Sequence, residues 1–316
     1  MITPDLFSSD PARTRRSPDQ ESAVKPCVLC ASTEAVELLR SPKLDGPLLR
    51  CAGCGLVRVE SEGRFQMGEG GHSADAAAER IAEEARRSLF LDPEVEAAER
   101  ENRAAGLRRR LDALQRHAPG RRLLEVGASD GQLLALARAR GFEVAGVEPN
   151  RRLVEVARSE HGVTLFPGTL AEAGYAPASF DVVVMLHVIE HLPDPCAEVA
   201  RVAELLRPGG LFLIETPTLD NPWFRLLGAR WRQIIPEHAW FFTEETLRRL
   251  LDREGFHTLE AGTVGRDVSI RLVTNRLQRM FGAAARPLAR LGRGAIGGRS
   301  AHLDPRDVML VVAKKR

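Results

Sequence analysis

Lysine is nearly missing from this chain: of 45 basic residues only Lys25, Lys43, Lys314 and Lys315 are lysine. A bias that wide belongs to the coding sequence as a whole, so the abundance of arginine is not in itself a sign of phosphate binding. Long apolar runs are missing too, and none approaches the roughly 18 residues that a membrane span needs. Residues 1–20, MITPDLFSSDPARTRRSPDQ, lack the apolar core of a secretory signal, so the expected compartment is the cytoplasm. No internal repeat is found. What remains is an ordinary soluble composition, 44% apolar and 28% charged over 316 residues, with room for a sizeable core and more than one domain.

Cysteine is scarce but organised. Four of the five form Cys27-x-x-Cys30 and Cys51-x-x-Cys54. In a reducing compartment two such knuckles, each offering a pair of sulfurs, suit one tetrahedral Zn2+ better than two disulfides. The alternative is a degenerate ribbon that holds no metal. Cys196, at the start of an expected helix, reads as a small buried hydrophobe.

Taken in order, residues 1–24 are Pro-, Ser-, Asp- and Arg-rich without periodicity and read as a disordered tail. Residues 25–60 form the expected zinc ribbon, in which Leu56–Val59 is the closing strand. Its five basic residues (Lys25, Arg40, Lys43, Arg50, Arg58) against four acidic ones (Glu34, Glu37, Asp45, Glu60) give none of the basic excess of a nucleic-acid-binding ribbon. Residues 61–118 read as a flexible joint at 68–72 and a helical extension, with helices over 74–91 and from Pro93 to about His117. These helices either pack on the following sheet or lie over its cleft as a lid. Residues 119–316 carry the main domain. Strands near 122–126, 142–147, 163–166, 181–186 and 211–215 alternate with helices near 132–140, 150–159, 195–206 and 243–254. That alternation predicts an α/β fold, a doubly wound Rossmann-like sheet with ligands at the carboxyl ends of its strands. Strands near 256–261 and 308–313 finish it as a hairpin, and an insertion occupies about 265–304.

The stretch Arg121–Asn150 is built to receive a ribose-bearing cofactor. Leu123, Leu124 and Val126 form a buried strand, Gly127 and Gly131 allow a tight turn, and a helix follows whose N-terminal N–H groups face whatever the loop holds. Glu148 ends the next strand 21 positions after Gly127, where a βαβ unit places a carboxylate for two ribose hydroxyls. Glycines at this spacing also occur for packing alone.

Three stretches in order resemble class I S-adenosylmethionine-dependent methyltransferases over about residues 120–260. They are Glu125-Val126-Gly127-Ala128-Ser129-Asp130-Gly131, the run from Phe180 through Leu186-His187-Val188-Ile189-Glu190-His191 to Leu192, and Leu206-Arg207-Pro208-Gly209-Gly210-Leu211. The resemblance implies S-adenosyl-L-methionine as cofactor. It would be held by Glu125, Gly127, Ala128, Ser129, Gly131 and Glu148, with Thr169, Leu186 and His187 alongside. Ser129 stands where the family most often has its middle glycine, and Thr169 where many relatives carry an acid.

A second stretch, Ile235-Pro236-Glu237-His238, resembles the Tyr-x-Glu-His segment of bacterial sugar C-methyltransferases, which also carry an N-terminal zinc-binding region. Ile235 takes the tyrosine's place. By that resemblance His238 is the base and Glu237 its neighbour, while His187 and His191 either contact ligand or serve as local caps. Trp223, Phe224 and Trp231 offer aromatic surface for a sugar or ring acceptor. A small molecule or glycan intermediate is therefore the expected acceptor. The near-neutral ribbon, and Met185-Leu186-His187-Val188 in place of an Asn/Asp-Pro-Pro-aromatic clamp, argue against nucleic acid. A zinc-ribbon RNA methyltransferase and a non-catalytic cofactor-binding protein are the rival readings. Residues 265–300 hold eight arginines and one acid, with apolar residues from Val273 to Leu291 at helical spacing. That pattern suits peripheral membrane contact through 270–292, a dimer contact or a lid.

Overall fold

The computed structural model of the protein describes residues 25–60, 93–281, 287, 290 and 297–316. The expected tail, the joint at 68–72 and the helix at 74–91 lie outside the described residues, as does most of 282–296.

In chain order, β1 (Ala35–Leu39), β2 (Leu48–Cys51) and β3 (Val57–Val59) precede α1 (Pro93–Gln115). Then come β4 (Arg122–Val126), α2 (Gln132–Ala139), β5 (Glu143–Val147), α3 (Arg151–His161), β6 (Phe180–Leu186), α4 (Pro195–Leu205) and β7 (Leu206–Pro217). The remainder holds α5 (Pro222–Leu227), β8 (Trp240–Phe241), α6 (Glu244–Arg253), β9 (Phe256–Thr263), β10 (Arg266–Ser269), α7 (Ile270–Phe281), β11 (Ser300–Leu303) and β12 (Val308–Lys315). Six of these strands form one mixed sheet in the order β5-β4-β6-β7-β12-β9. The pairs β4/β5 and β6/β7 are parallel, and β12 runs antiparallel to both neighbours. The expected hairpin end is thus present. The strand expected at 163–166 shrinks to one bridge, Phe166 to Val147, and Pro167, which has no N–H, bars any ladder beyond it.

Contacts divide the chain into two compact units: Met1–Glu69, Gly174–Thr263 and Arg306–Arg316 make the first, Gly70–Ala173 and Val264–Pro305 the second. In the first, Val182–Met185, Leu211–Ile214 and Val311–Ala313 are fully buried. Strands covered on both faces need such unbroken apolar runs. The Arg207-Pro208-Gly209-Gly210 stretch lies within β7. It lets the ladder skip from the pair Phe180/Leu206 to Val182/Leu211, with Gly209 at φ 74° and Arg207 Nη1 2.8 Å from Asp181 Oδ1. A Cβ on Gly210 would stand 2.9 Å from the Arg207 carbonyl oxygen. The helices start where side chains can accept orphan N–H groups. Asp194 caps α4 ahead of Pro195, and Thr243 with Thr246 forms a reciprocal cap on α6.

The ribbon belongs to the same unit and is not free-standing. Its sheet runs β1-β2-β3-β8, so the fourth strand comes from the Trp240–Phe241 segment. Leu48 and Val57 of the ribbon share one buried cluster with Leu219, Phe224, Trp231, Ile234 and Phe241.

In the second unit the described parts of the insertion pack on α1. β10 and β11 pair antiparallel. The Ser269 N–H donates to Glu99 Oε1 of α1 at 2.9 Å, the Ser300 hydroxyl meets Asn102 Oδ1 at 2.6 Å, and Arg109 pairs with Asp267 at 2.7 Å. Leu111 and Leu114 of α1 are fully buried. At the start of α7, Leu272 is buried while Val273, expected on the apolar face, is 36% exposed. The side chains from Arg276 onward that would make the membrane face lie outside the described residues. Among the described residues no helix is long and apolar enough to cross a membrane.

Candidate functional site

The first group of expected residues forms an acidic corner at the carboxyl ends of β4 and β5. Glu148 is buried, and its carboxylate is fixed by the chain it has just left and the loop it faces. Oε2 accepts the Ser129 N–H and Oε1 accepts the Asn150 N–H, both at 2.9 Å. Gly127 (φ 70°) and Gly131 (φ 75°) take the left-handed turns, and Ser129 does so at φ 50°. Gly131 is required for packing, because a Cβ there would lie 2.9 Å from the Ala157 Cβ. The N–H groups expected to await a ligand are partly engaged: Ser129 donates to Glu148, and Gln132 donates to Asp130 Oδ1 at 3.2 Å. Glu125 is buried beneath this loop, and its Oε2 has no hydrogen-bond partner. Burial, with the charges of Asp130 and Glu148 nearby, holds its carboxyl well above the usual range. Thr169 is tied by its N–H and hydroxyl to Glu172 Oε2, at 2.7 and 2.8 Å.

The second group forms a cluster of three imidazoles about one buried carboxylate, where β6 and β7 end. His187, at φ 54°, places Nδ1 3.3 Å from Glu190 Oε1 and Nε2 3.3 Å from Glu215 Oε1. Burial opposes its charge, but the two carboxylates outweigh that and raise the imidazole to about 10. Its side chain is 45% exposed, so water screens the pair. Glu190 is buried. Despite that burial, His187 beside it and the charges of His191 and His238 bring its carboxyl down to about 2. Its Oε2 also accepts the Thr216 hydroxyl at 2.9 Å.

His191 donates from Nδ1 to the Glu237 carbonyl oxygen at 2.8 Å, which leaves Nε2 as an acceptor. His238 is 4% exposed and packs edge-on against the rings of His191 and Phe241. Burial pulls its pKa down to about 4, opposed by Glu190 and reinforced by the other two imidazoles. Its Nδ1 is buried with no hydrogen-bond partner. The expected pairing of His238 with the Glu237 carboxylate therefore does not form at Nδ1, and Glu237 reaches the cluster through its backbone carbonyl to His191.

Residues 97–261 match the family described as methyltransferase domain. This chain belongs to that family. It is a SAM-dependent methyltransferase. It is 32% identical over 184 residues to a ubiquinone biosynthesis O-methyltransferase of Cereibacter sphaeroides, covering 51% of this chain and 74% of that one. To the protein of the same name from Aromatoleum aromaticum it is 30% identical over 166 residues, 48% and 71% of the two chains. Its fold is similar to that of a SAM-dependent methyltransferase, possible histamine N-methyltransferase, from Thermotoga maritima. That likeness has a TM-score of 0.50 at 18% identity and covers 77% of this chain and all of the other.

Outside the matched segment, the methyltransferase brings its four ribbon cysteines together. Cys27 Sγ lies 3.5 Å from Cys54 Sγ and Cys30 Sγ 3.4 Å from Cys51 Sγ, with all four within 4.8 Å of one another. Four thiolates at about 2.3 Å from one ion stand about 3.8 Å apart, so the set fits a tetrahedral metal. Burial pushes the Cys27 and Cys54 thiols up. At Cys51 burial is outweighed by backbone N–H groups of Cys54 and Gly53 and by the Cys30 thiol, and the value falls to about 7. Cys196 is buried, its thiol bonds the Val28 carbonyl at 3.3 Å, and burial raises it to about 11, which makes it a poor nucleophile.

The aromatic platform expected of Trp223, Phe224 and Trp231 is not there. Phe224 and Trp231 stack edge-on in the core beneath the ribbon, and Trp223 alone of the three is exposed, at 44%. Sequence reading missed Glu215 and Thr216. Their signal was polar residues closing the buried run Leu211–Ile214, at the carboxyl end where this fold keeps its ligands.

Proposed function

We propose that this methyltransferase places a methyl group on an oxygen of a small-molecule acceptor, and that the Glu190–His191–His238 cluster activates that oxygen. Relatives at 30–32% identity are named for O-methylation in ubiquinone biosynthesis, which favours a hydroxyl-bearing small molecule. A sugar or glycan hydroxyl asks for the same chemistry. S-adenosylmethionine supplies an electrophilic methyl group on a sulfonium. Glu148 would hold the ribose hydroxyls, the Gly127–Gly131 loop would lie beside the cofactor, and Leu186 and His187 would flank its methionine end. Asp130 and Glu148 give this corner the negative field that a cationic cofactor complements.

A hydroxyl becomes a good nucleophile only as it loses its proton. The observation that carries the assignment is the pair His191 and His238: one is oriented by a carbonyl so that Nε2 can accept, the other is buried with a bare Nδ1. Zn2+ at Cys27, Cys30, Cys51 and Cys54 belongs to the same proposal as a closed structural site, since four protein ligands leave no open position.

The test is isotope-labelled methyl transfer to phenols, nucleotide sugars, lipid-linked glycans and RNA. Hydroxyl-bearing small molecules are the expected acceptors, and His191→Ala and His238→Ala are each expected to lower turnover about 10²–10⁴-fold with cofactor affinity unchanged. Near-native turnover in both variants, or methylation of RNA alone, overturns the proposal.

A further inference from the structure

We infer that Glu190, His191 and His238 form a second metal site, distinct from the cysteine cluster, that takes a divalent first-row transition ion through two imidazole nitrogens and one carboxylate oxygen. One donor atom from each residue lies within 4.8 Å of the others. An imidazole nitrogen that is buried and bonded to nothing loses its hydration without replacement, a cost that native cores rarely leave standing. His238 Nδ1 is such an atom, in a residue only 4% exposed. A metal ion supplies the partner it lacks.

The surroundings resemble those of metal ligands held in place by their neighbours. His191 gives its Nδ1 proton to the Glu237 carbonyl at 2.8 Å, which fixes the tautomer with the Nε2 lone pair free. The Thr216 hydroxyl holds Glu190 Oε2 at 2.9 Å and so orients the carboxylate. Glu190 also brings a carboxylate to the site, which suits a cation. Two nitrogens and one oxygen select Mn2+, Fe2+, Co2+ or Zn2+ over Mg2+ or Ca2+, which prefer all-oxygen shells.

Three protein ligands leave positions open for an acceptor oxygen, whose proton is then lost more readily to solvent. That role rests on the O-methyl-transfer reading, whereas the binding of the ion does not. With the ion in place, His191 and His238 act as ligands and solvent receives the proton.

The experiment is titration of the zinc-replete full chain with Co2+, followed by visible absorption. The expected result is uptake of a further ion per chain with d–d bands of nitrogen and oxygen ligation and no thiolate charge-transfer band. His191→Gln, at a half-buried position, and Glu190→Gln are each expected to weaken Co2+ binding at least about tenfold. His238→Gln is read alongside them, with thermal melting to show that each variant is folded. Failure of the wild-type chain to take up Co2+ beyond the ribbon, or unchanged affinity in folded His191→Gln, overturns the site. Methyl transfer to hydroxyl acceptors that survives chelation, with no Co2+ bound, removes the metal site and leaves the O-methyltransferase reading standing. Co2+ bound in the absence of any hydroxyl methylation does the reverse.

Discussion

The acidic corner and the imidazole cluster are both buried, charged and placed at strand ends, yet they are held together in opposite ways. Glu148 is fixed by backbone N–H groups of Ser129 and Asn150, and Glu125 comes from the strand that leads into the same loop. All of this lies within Glu125–Asn150. The cluster joins side chains from 187–191, 215–216 and 237–238, and its bonds run between side chains or from ring to backbone across those segments. The corner therefore depends on local turn geometry, while the cluster depends on everything that positions three distant segments.

Breaking the support of one region should leave the other intact. Cys27→Ser with Cys30→Ser removes two sulfurs from the tetrathiolate set, and β3, which pairs with β8 next to His238, loses its anchor. This is the largest expected effect: loss of zinc, loosening of residues 25–60 and a collapse of turnover, with cofactor affinity close to wild type. Metal analysis with parallel calorimetry checks it, and cofactor binding that falls in step with turnover would erase the distinction between the two regions.

Glu148→Gln tests the other side. Removing charge from two hydrogen-bonding oxygens should weaken cofactor binding by about 1.5–3 kcal/mol, roughly 10–100-fold, and leave the rate at saturating cofactor little changed. Calorimetry with an unchanged dissociation constant would show that the ribose lies elsewhere.

The two regions should also lose stability as pH rises, each over its own range. Glu125 has a folded pKa raised by burial, so the folded state holds its proton more tightly than the unfolded state. Stability then falls as pH rises from about 4 towards that raised pKa. Glu125→Gln should remove this slope and raise the melting temperature of the cofactor-free protein at neutral pH; a variant that melts lower would show that the carboxyl is stabilising.

His187 is raised to about 10 by its carboxylate partners, so its contribution is fully present below about 6.5 and fades as pH rises through 10. His187→Gln should flatten that alkaline loss. The effect is the smallest of the four because the side chain is open to water. Melting curves that keep the same alkaline slope would assign it to another group.

How much of this was legible follows the same division. The corner could be read because its parts are close in sequence: the glycine turn, the strand ending at Glu148, the helix from Gln132. β4, β5, β6, β9 and β12 fall within two residues of their expected starts, since buried apolar runs between turn residues locate strands well. Phe224 and Trp231 were misplaced because composition shows that aromatics are present but not which way their strand-to-helix connection turns them. Glu215 was passed over because its partner, His187, is 28 positions away and adjacent only once β6 and β7 pair. The strands β8, β10 and β11 are too short for any periodicity to announce them.

The peptide groups of Ala239 carry a practical consequence. Its carbonyl accepts the Val59 N–H of the ribbon and its N–H donates to the Glu190 carbonyl, both at 2.9 Å. Anyone building chimaeras from this protein will find no seam at residue 60. A transplanted ribbon that leaves Ala239 and its neighbours behind arrives with an open sheet edge, and the host left without it loses the brace beneath its histidines. The unit of exchange, for an engineer or for recombination over generations, is residues 25–60 together with 234–242, two stretches that the linear gene keeps far apart.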